Sequence, residues 1–245
     1  MKTLRYSLLL AALYTYENVA AIGINSMVEF AHEGKGTFTI SNSEDFRQFI
    51  SVAVSSISIE NGELVKTPYT RENIDSWSLI VRPARTIIDA NLSKSFKVSY
   101  KPLSSELKDR DKMYQLTFIP TPYFAKGESI KHAVQVAIGF APIFVVPAEK
   151  DQELDYDVTY DGESIQLNNH GNSYIRAFFD ACPEFTKGKA RESCTKIAYA
   201  MSGRRLTIPL TPNMVGASTI KVDISTHYLT YKNTLILQKN QTSKV

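Results

Sequence analysis

The chain has 245 residues, 43% of them apolar and 22% charged, with a formal net charge of +3. Apolar residues run throughout and Gly and Pro number only 11 and 10, which excludes a disordered or collagen-like chain. So small a charge excess excludes the strongly basic face of a nucleic-acid binder, and two cysteines cannot build a disulfide scaffold or a structural zinc site.

The first 21 residues have the layout of a secretory leader. Lys2 and Arg5 give a positive start, Leu8-Leu9-Leu10-Ala11-Ala12-Leu13 an apolar run too short to span a bilayer, and Val19-Ala20-Ala21 a small-residue cleavage site. Tyr14, Tyr16 and Asn18 interrupt the apolar face that a buried helix would need. An exported chain with cleavage near Ala21 is expected. Export places Cys182 and Cys194 where disulfides persist, so they read as a bridge. Its short loop predicts about 2–3 kcal/mol of stabilisation.

From Ile22 the pattern is almost entirely strand. Thr37-Phe38-Thr39-Ile40, Phe49 to Val54, Ser78 to Val81, Phe96 to Tyr100 and Tyr114 to Phe118 are short and rich in β-branched or aromatic residues. Glu33-Gly34-Lys35-Gly36, Asn61-Gly62 and Asp89-Ala90-Asn91 separate them as turns. A polar stretch, Pro147 to Glu153, reads as a hinge or linker. Strand patterns resume at Tyr156 to Tyr160, Ser164 to Leu167, Tyr174 to Phe179, Arg205 to Leu210 and Ile220 to Ile224. Only Thr186 to Ser202 carries weak helical character. Strands at this spacing predict an all-β chain with domains over 22–147 and 148–245.

The residues of common chemistry do not converge. His32, His132, His170 and His227 have no metal-ligand spacing to one another or to a cysteine, and no nucleophile elbow, phosphate loop or zinc-protease motif occurs. Asp155, Asp157, Asp161 and Glu163 lack the glycine and terminal glutamate of a calcium loop. No enzyme, cofactor or metal is expected.

The stretch that stands out is Ala133 to Pro147, AVQVAIGFAPIFVVP. Val134, Val136 and Ile138 fall on one strand face, with Phe140 continuing the row, while Gln135, Ala137 and Gly139 on the other face are small or polar. A strand buried on both faces is one reading. The other is an edge strand whose bulky row is offered to a second protein.

The order of these features resembles the periplasmic pilus-assembly chaperones of the chaperone–usher type. Glu29-Phe30 leading to Thr37 to Asn42 is similar to their opening, and Arg82-Pro83-Ala84-Arg85 through Phe96-Lys97-Val98 to their proline-and-basic segment. Asp109-Arg110-Asp111-Lys112-Met113-Tyr114 resembles their D-R-E-x-x-[FY] signature, and Ala133 to Pro147 their donor strand. Cys182, Cys194 and Met201 to Arg205 resemble the second domain of the alternative branch, typified by the common pilus of enteric bacteria. The resemblance implies two immunoglobulin-like β-sandwich domains arranged as an L with an inter-domain cleft. It implies a periplasmic protein that lends the row Val134, Val136, Ile138 and Phe140 to pilin subunits and hands them to an outer-membrane usher. Self-capping of the free protein as a homo-oligomer belongs to the same expectation.

The better-known branch holds the subunit's carboxylate with an arginine and a lysine, whose positions fall here on Met27 and Pro142. Lys97, Arg110 and Lys112 are the basic residues within matching motifs and the candidate anchors, with a local ion pair to Asp109 or Asp111 as the alternative role. The rival functions are an exported fimbrial subunit or adhesin, and an exported enzyme or carbohydrate-binding module.

Overall fold

The computed structural model describes residues 21–104, 107–124 and 139–245. The first half holds β1 (Ile22–Ile24), β2 (Val28–Phe30), β3 (Lys35–Asn42), β4 (Arg47–Glu60), β5 (Glu63–Pro68), β6 (Leu79–Arg82), β7 (Arg85–Ile88), β8 (Ser93–Tyr100), β9 (Lys112–Tyr123) and β10 (Ile143–Val146). The second holds β11 (Tyr156–Tyr160), β12 (Ser164–Asn169), β13 (Ile175–Asp180), the one-turn helix α1 (Lys189–Glu192), β14 (Thr195–Ala200), β15 (Arg205–Pro209), β16 (Thr219–Ser225), β17 (Lys232–Gln238) and β18 (Gln241–Lys244). The weakly helical stretch Thr186 to Ser202 therefore contains a single helical turn, and Thr195–Ala200 within it is strand.

Four sheets form two sandwiches. The first pairs β1-β3-β8-β6 with β2-β10-β9-β4-β5, in which β7 also pairs with β4. The second pairs β15-β12-β11-β18 with β14-β13-β16-β17. Alternation selects the inner faces: Phe38, Ile40 and Asn42 on β3, Tyr156, Val158 and Tyr160 on β11, and Ile175, Ala177 and Phe179 on β13 are buried at every second position. Phe38, Phe96, Phe118 and Phe144 anchor one core, and Tyr160, Leu167, Phe179 and Val222 the other.

A buried asparagine stabilises a corner in each sandwich. The Asn42 amide donates to the carbonyls of Phe46, Ile88 and Asp89 at 2.8–3.2 Å, and that of Asn169 to Ser173 and Ala200 at 2.8 and 2.9 Å. Both satisfy carbonyls of corners and strand ends that burial would otherwise leave unpaired.

The leading strand serves both sheets of the first sandwich. β1 runs antiparallel to β3, and after Asn25 to Met27 the chain crosses over so that β2 runs parallel to β10. The stretch read as a hinge is pinned to its surroundings instead. The Glu149 N–H donates to the Lys108 carbonyl at 3.2 Å, and the Gln152 N–H to Ser173 Oγ at 2.9 Å. Asp151 accepts from Thr226 Oγ1 at 2.6 Å and from the N–H groups of Tyr228 and Thr230 at 3.0 and 3.1 Å. A chain tied at this many points holds the two sandwiches in register.

Candidate binding cleft and strand edge

The outer face of the β2-β10-β9-β4-β5 sheet turns toward the second domain. On β10, Phe144 and Val146 enter the first core, so Ile143 and Val145 must face the other way. Phe30, Ile57 and Met113 join them from β2, β4 and β9. Opposite stand Tyr174 and Met201, both buried, so a third apolar cluster joins the domains. Phe30 stacks on Tyr174 at 5.1 Å and on His227 at 5.2 Å, and the Tyr174 hydroxyl meets His227 Nδ1 at 2.8 Å. Burial, reinforced by the negative charge of Asp111, pushes the Tyr174 phenol well up, so it stays a neutral hydrogen-bonding group.

Within this junction lies an apolar pocket of about 230 Å³. Val28 and Leu64 also line it from the first domain, and Tyr199, Arg204 and Leu206 from the second. One side of it is a hairpin arm, β4 and β5, through Ile57 and Leu64. Asn61 and Gly62 at the β4–β5 tip have φ of 53° and 84°, the pair of positive values a two-residue turn requires. The Gly62 carbonyl accepts from the Arg205 N–H at 3.0 Å and from Arg204 Nη1, which also meets Glu63 Oε2 at 2.6 Å. A Cβ at position 62 would sit 2.7 Å from the Arg205 stem, so glycine is also the residue that allows this approach.

Asp111 closes the other side of the junction. Its two carboxylate oxygens accept the N–H groups of Ala148 and Tyr174 at 2.6 and 2.5 Å, joining β9, the connecting stretch and the second domain. Burial pushes its carboxyl up, while these N–H groups and His227 pull the other way. The sequence marked Asp111 as part of a motif and as a possible local ion-pair partner; its junction role depends on three segments that meet in space.

The predicted strand edge is described in part. Phe140 exchanges N–H···O bonds with Phe118 at 2.8 and 3.1 Å in the same register as β10 on β9. The Phe140 ring packs against the first domain's own core, so this member of the expected row belongs to the domain that carries it. Gly139 lies against the Phe118 carbonyl, where a Cβ would approach to 2.9 Å. Val134, Val136 and Ile138 lie outside the described residues. Beyond Phe118, Ile119 to Tyr123 of β9 pair only with β4 among the described residues, and Ile119 and Tyr123 are exposed.

The three candidate anchors do not converge. Lys97 lies on β8 and lines a shallow groove with Glu29, His32 and Lys35, where burial pushes the Glu29 carboxyl up. Arg110 donates to Asn172 Oδ1 at 3.4 Å and lies 3.8 Å from Asp109, and the Lys112 ammonium donates to the Leu107 carbonyl. Met27 and Pro142 are adjacent, since the Ile143 N–H donates to the Met27 carbonyl at 2.9 Å. Neither residue is cationic.

Cys182 and Cys194 are joined by a disulfide between the end of β13 and the start of β14. Asp157 accepts from Asn168 and meets His170, and Asp161 caps the Glu163–Ser164 turn, so these acidic residues have local structural partners. Among the described residues no group of three His, Cys, Asp or Glu side chains is placed to hold a metal ion.

Two sandwiches joined along an apolar cleft define a two-domain immunoglobulin-like β protein. The profile described as CS5 fimbrial protein N-terminal domain matches residues 24–147, and the chain belongs to this family. No curated protein sequence matches it. Among solved structures, a chain of the Salmonella enterica SafA pilin–SafB chaperone complex is 11% identical with a TM-score of 0.55, covering 90% of this chain and 98% of that one. A chain of a chaperone–tip adhesin complex of CFA/I fimbriae biogenesis is 16% identical with a TM-score of 0.51 over 90% of this chain and 99% of that one. The class 5 fimbriae chaperone CfaA is 14% identical with a TM-score of 0.50 over 90% of this chain and 100% of that one. The fold is that of the pilus chaperones.

Proposed function

We propose that the protein is a periplasmic chaperone that captures fimbrial subunits by lending them a β-strand and delivers them to an outer-membrane usher. The leader over 1–21 would export it, and domains over 22–147 and 148–245 would hold the subunit between them. The row Val134, Val136 and Ile138 is the proposed loan, with Phe140 retained as its anchor in the chaperone's own core. Main-chain hydrogen bonds would set the register and the row would fill an apolar groove of the subunit, each side chain contributing about 1.5–3 kcal/mol before ordering costs.

The observation that carries this reading against the rival of a fimbrial subunit is the pairing of residues 22–30. A subunit needs a detachable donor segment and an incomplete sandwich. Here β1 and β2 are already consumed by β3 and β10 of their own domain, and a second sandwich packs against the first. Of the candidate anchors, Arg110 has an ion pair and Lys112 a hydrogen bond, while Lys97 has neither among the described residues, so it is the proposed cation for a subunit group.

Periplasmic co-expression with candidate fimbrial subunits tests the proposal. The expected outcome is a 1:1 heterodimer, identified by mass spectrometry, and an aggregated subunit when this chain is omitted. Self-polymers of this chain, or soluble subunit without it, would contradict the reading.

A further inference from the structure

The apolar pocket between the domains has a charge balance that selects its occupant. Arg204 is the one charged side chain among the described residues that line it, and its guanidinium is already held by Glu63 Oε2 at 2.6 Å and by the Gly62 carbonyl. The Tyr174 hydroxyl is likewise engaged by His227. A carboxylate entering here would lose its water and find no free cation, whereas an uncharged apolar group would meet Phe30, Met113, Val145, Tyr199 and Met201. The pocket's 230 Å³ exceeds the ~150 Å³ that admits a benzene ring into an apolar cavity. Its rim is reachable, because Val28, Leu64 and Tyr199 are 40%, 43% and 44% exposed.

From this geometry we infer that the pocket accepts one aromatic side chain of the bound fimbrial subunit, and not its terminal carboxylate. The inference rests on the proposed chaperone function for the identity of the partner, but the pocket's selectivity does not depend on it. The two domains form opposite walls of one recess, so an inserted ring would touch both and tie them to the client at one point. Selection would follow from the shape and neutrality of the recess, with any subunit carboxylate left to a separate basic group such as Lys97.

The test uses the full mature chain labelled with carbon-13 methyl methionine. Met113 and Met201 line the pocket, while Met214 lies in the second core and serves as the internal control. The probes are N-acetyl-phenylalaninamide, an uncharged aromatic side chain on a peptide stem, and N-acetylglycine, a carboxylate without a side chain. The expected result is a saturable shift of the Met113 and Met201 signals with the aromatic probe only. Leu64→Trp, which fills the exposed rim, should weaken that response at least tenfold with an unchanged melting temperature. A response to N-acetylglycine alone, an equal response to both probes, or a response to neither would overturn the inference. Co-purification of the wild-type chain with a subunit is read separately, so a failed pocket is distinguishable from a failed chaperone assignment.

Discussion

In the second domain, the β15-β12-β11-β18 sheet gives its outer face to polar residues that satisfy one another. Thr159 meets Thr242 at 2.8 Å, and Asp157 accepts from Asn168 at 2.8 Å and meets His170 at 2.6 Å. In the first domain, the corresponding outer face of the β2-β10-β9-β4-β5 sheet carries Phe30, Ile57, Met113, Ile143 and Val145. Both sandwiches have a full core and a buried asparagine staple, so the contrast does not arise from how each is stabilised. A sheet apolar on both faces needs a cover. The second domain supplies part of that cover through Tyr174 and Met201, and the remainder is left as the recess between them. The first domain thus carries the surface with unfinished packing, and the second acts as its wall.

Removing the wall's main contact should produce the largest effect on stability. Tyr174 is 4% exposed, and Tyr174→Ala deletes its ring stack with Phe30 and its bond to His227. The expected loss is about 3–5 kcal/mol, with urea unfolding split into two transitions as the domains uncouple. A single transition within 1 kcal/mol of the parent, roughly the scale of a surface change, would show that the domains are coupled elsewhere.

The disulfide acts within the second domain alone. In the Tyr174→Ala background, where the domains unfold separately, replacing Cys182 and Cys194 together with Ala should cost about 2–3 kcal/mol in the second domain's transition and leave the first domain's unmoved. Thiol titration of the denatured, unreduced parent should find no reactive cysteine. Two reactive thiols, or a shift in the first domain, would break the assignment.

The smallest effect concerns the connection between the domains and depends on pH. Burial alone would raise the Asp151 carboxyl, but hydrogen bonds from Thr226, Tyr228 and Thr230 hold it below its ordinary 3.8. A depressed folded-state value contributes stability that is complete above the unfolded value and fades as pH falls through the folded one. Asp151→Asn should therefore melt below the parent at neutral pH, by about 1 kcal/mol, and converge with it in acid below 3.8. Asp111 has the opposite sign, because its raised folded-state value makes ionisation cost more as pH rises through it. A gap that persists or widens in acid would refute the role given to Asp151.

Much of the fold was legible because alternation survives in sequences such as Thr37 to Ile40 and Tyr156 to Tyr160, whose buried positions are large. The β14 strand was not, because its inward positions Ala198 and Ala200 are small while Ile197 and Tyr199 face outward. That inversion removes the hydrophobic signal and leaves the neighbouring Lys189 to Glu192 to suggest a helix. The cleft was legible only as a consequence of the family resemblance. Phe30, Met113, Tyr174 and Met201 come from four distant segments, and no local spacing links them. The basic anchors show the same difficulty: Arg110 and Lys112 matched a motif, yet both are engaged by neighbouring structure.

Strand donation is tested most directly at Val136. Val136→Asp would place a carboxylate in the apolar groove of a subunit, where an unpaired charge costs several kcal/mol after relaxation. The measurement pairs a thermal melt of the free variant with co-purification of its fimbrial subunit. The expected variant melts within a few degrees of the parent and no longer retains the subunit. A variant that melts far below the parent, as a residue of the domain's own core would, or one that still holds the subunit, would contradict strand donation.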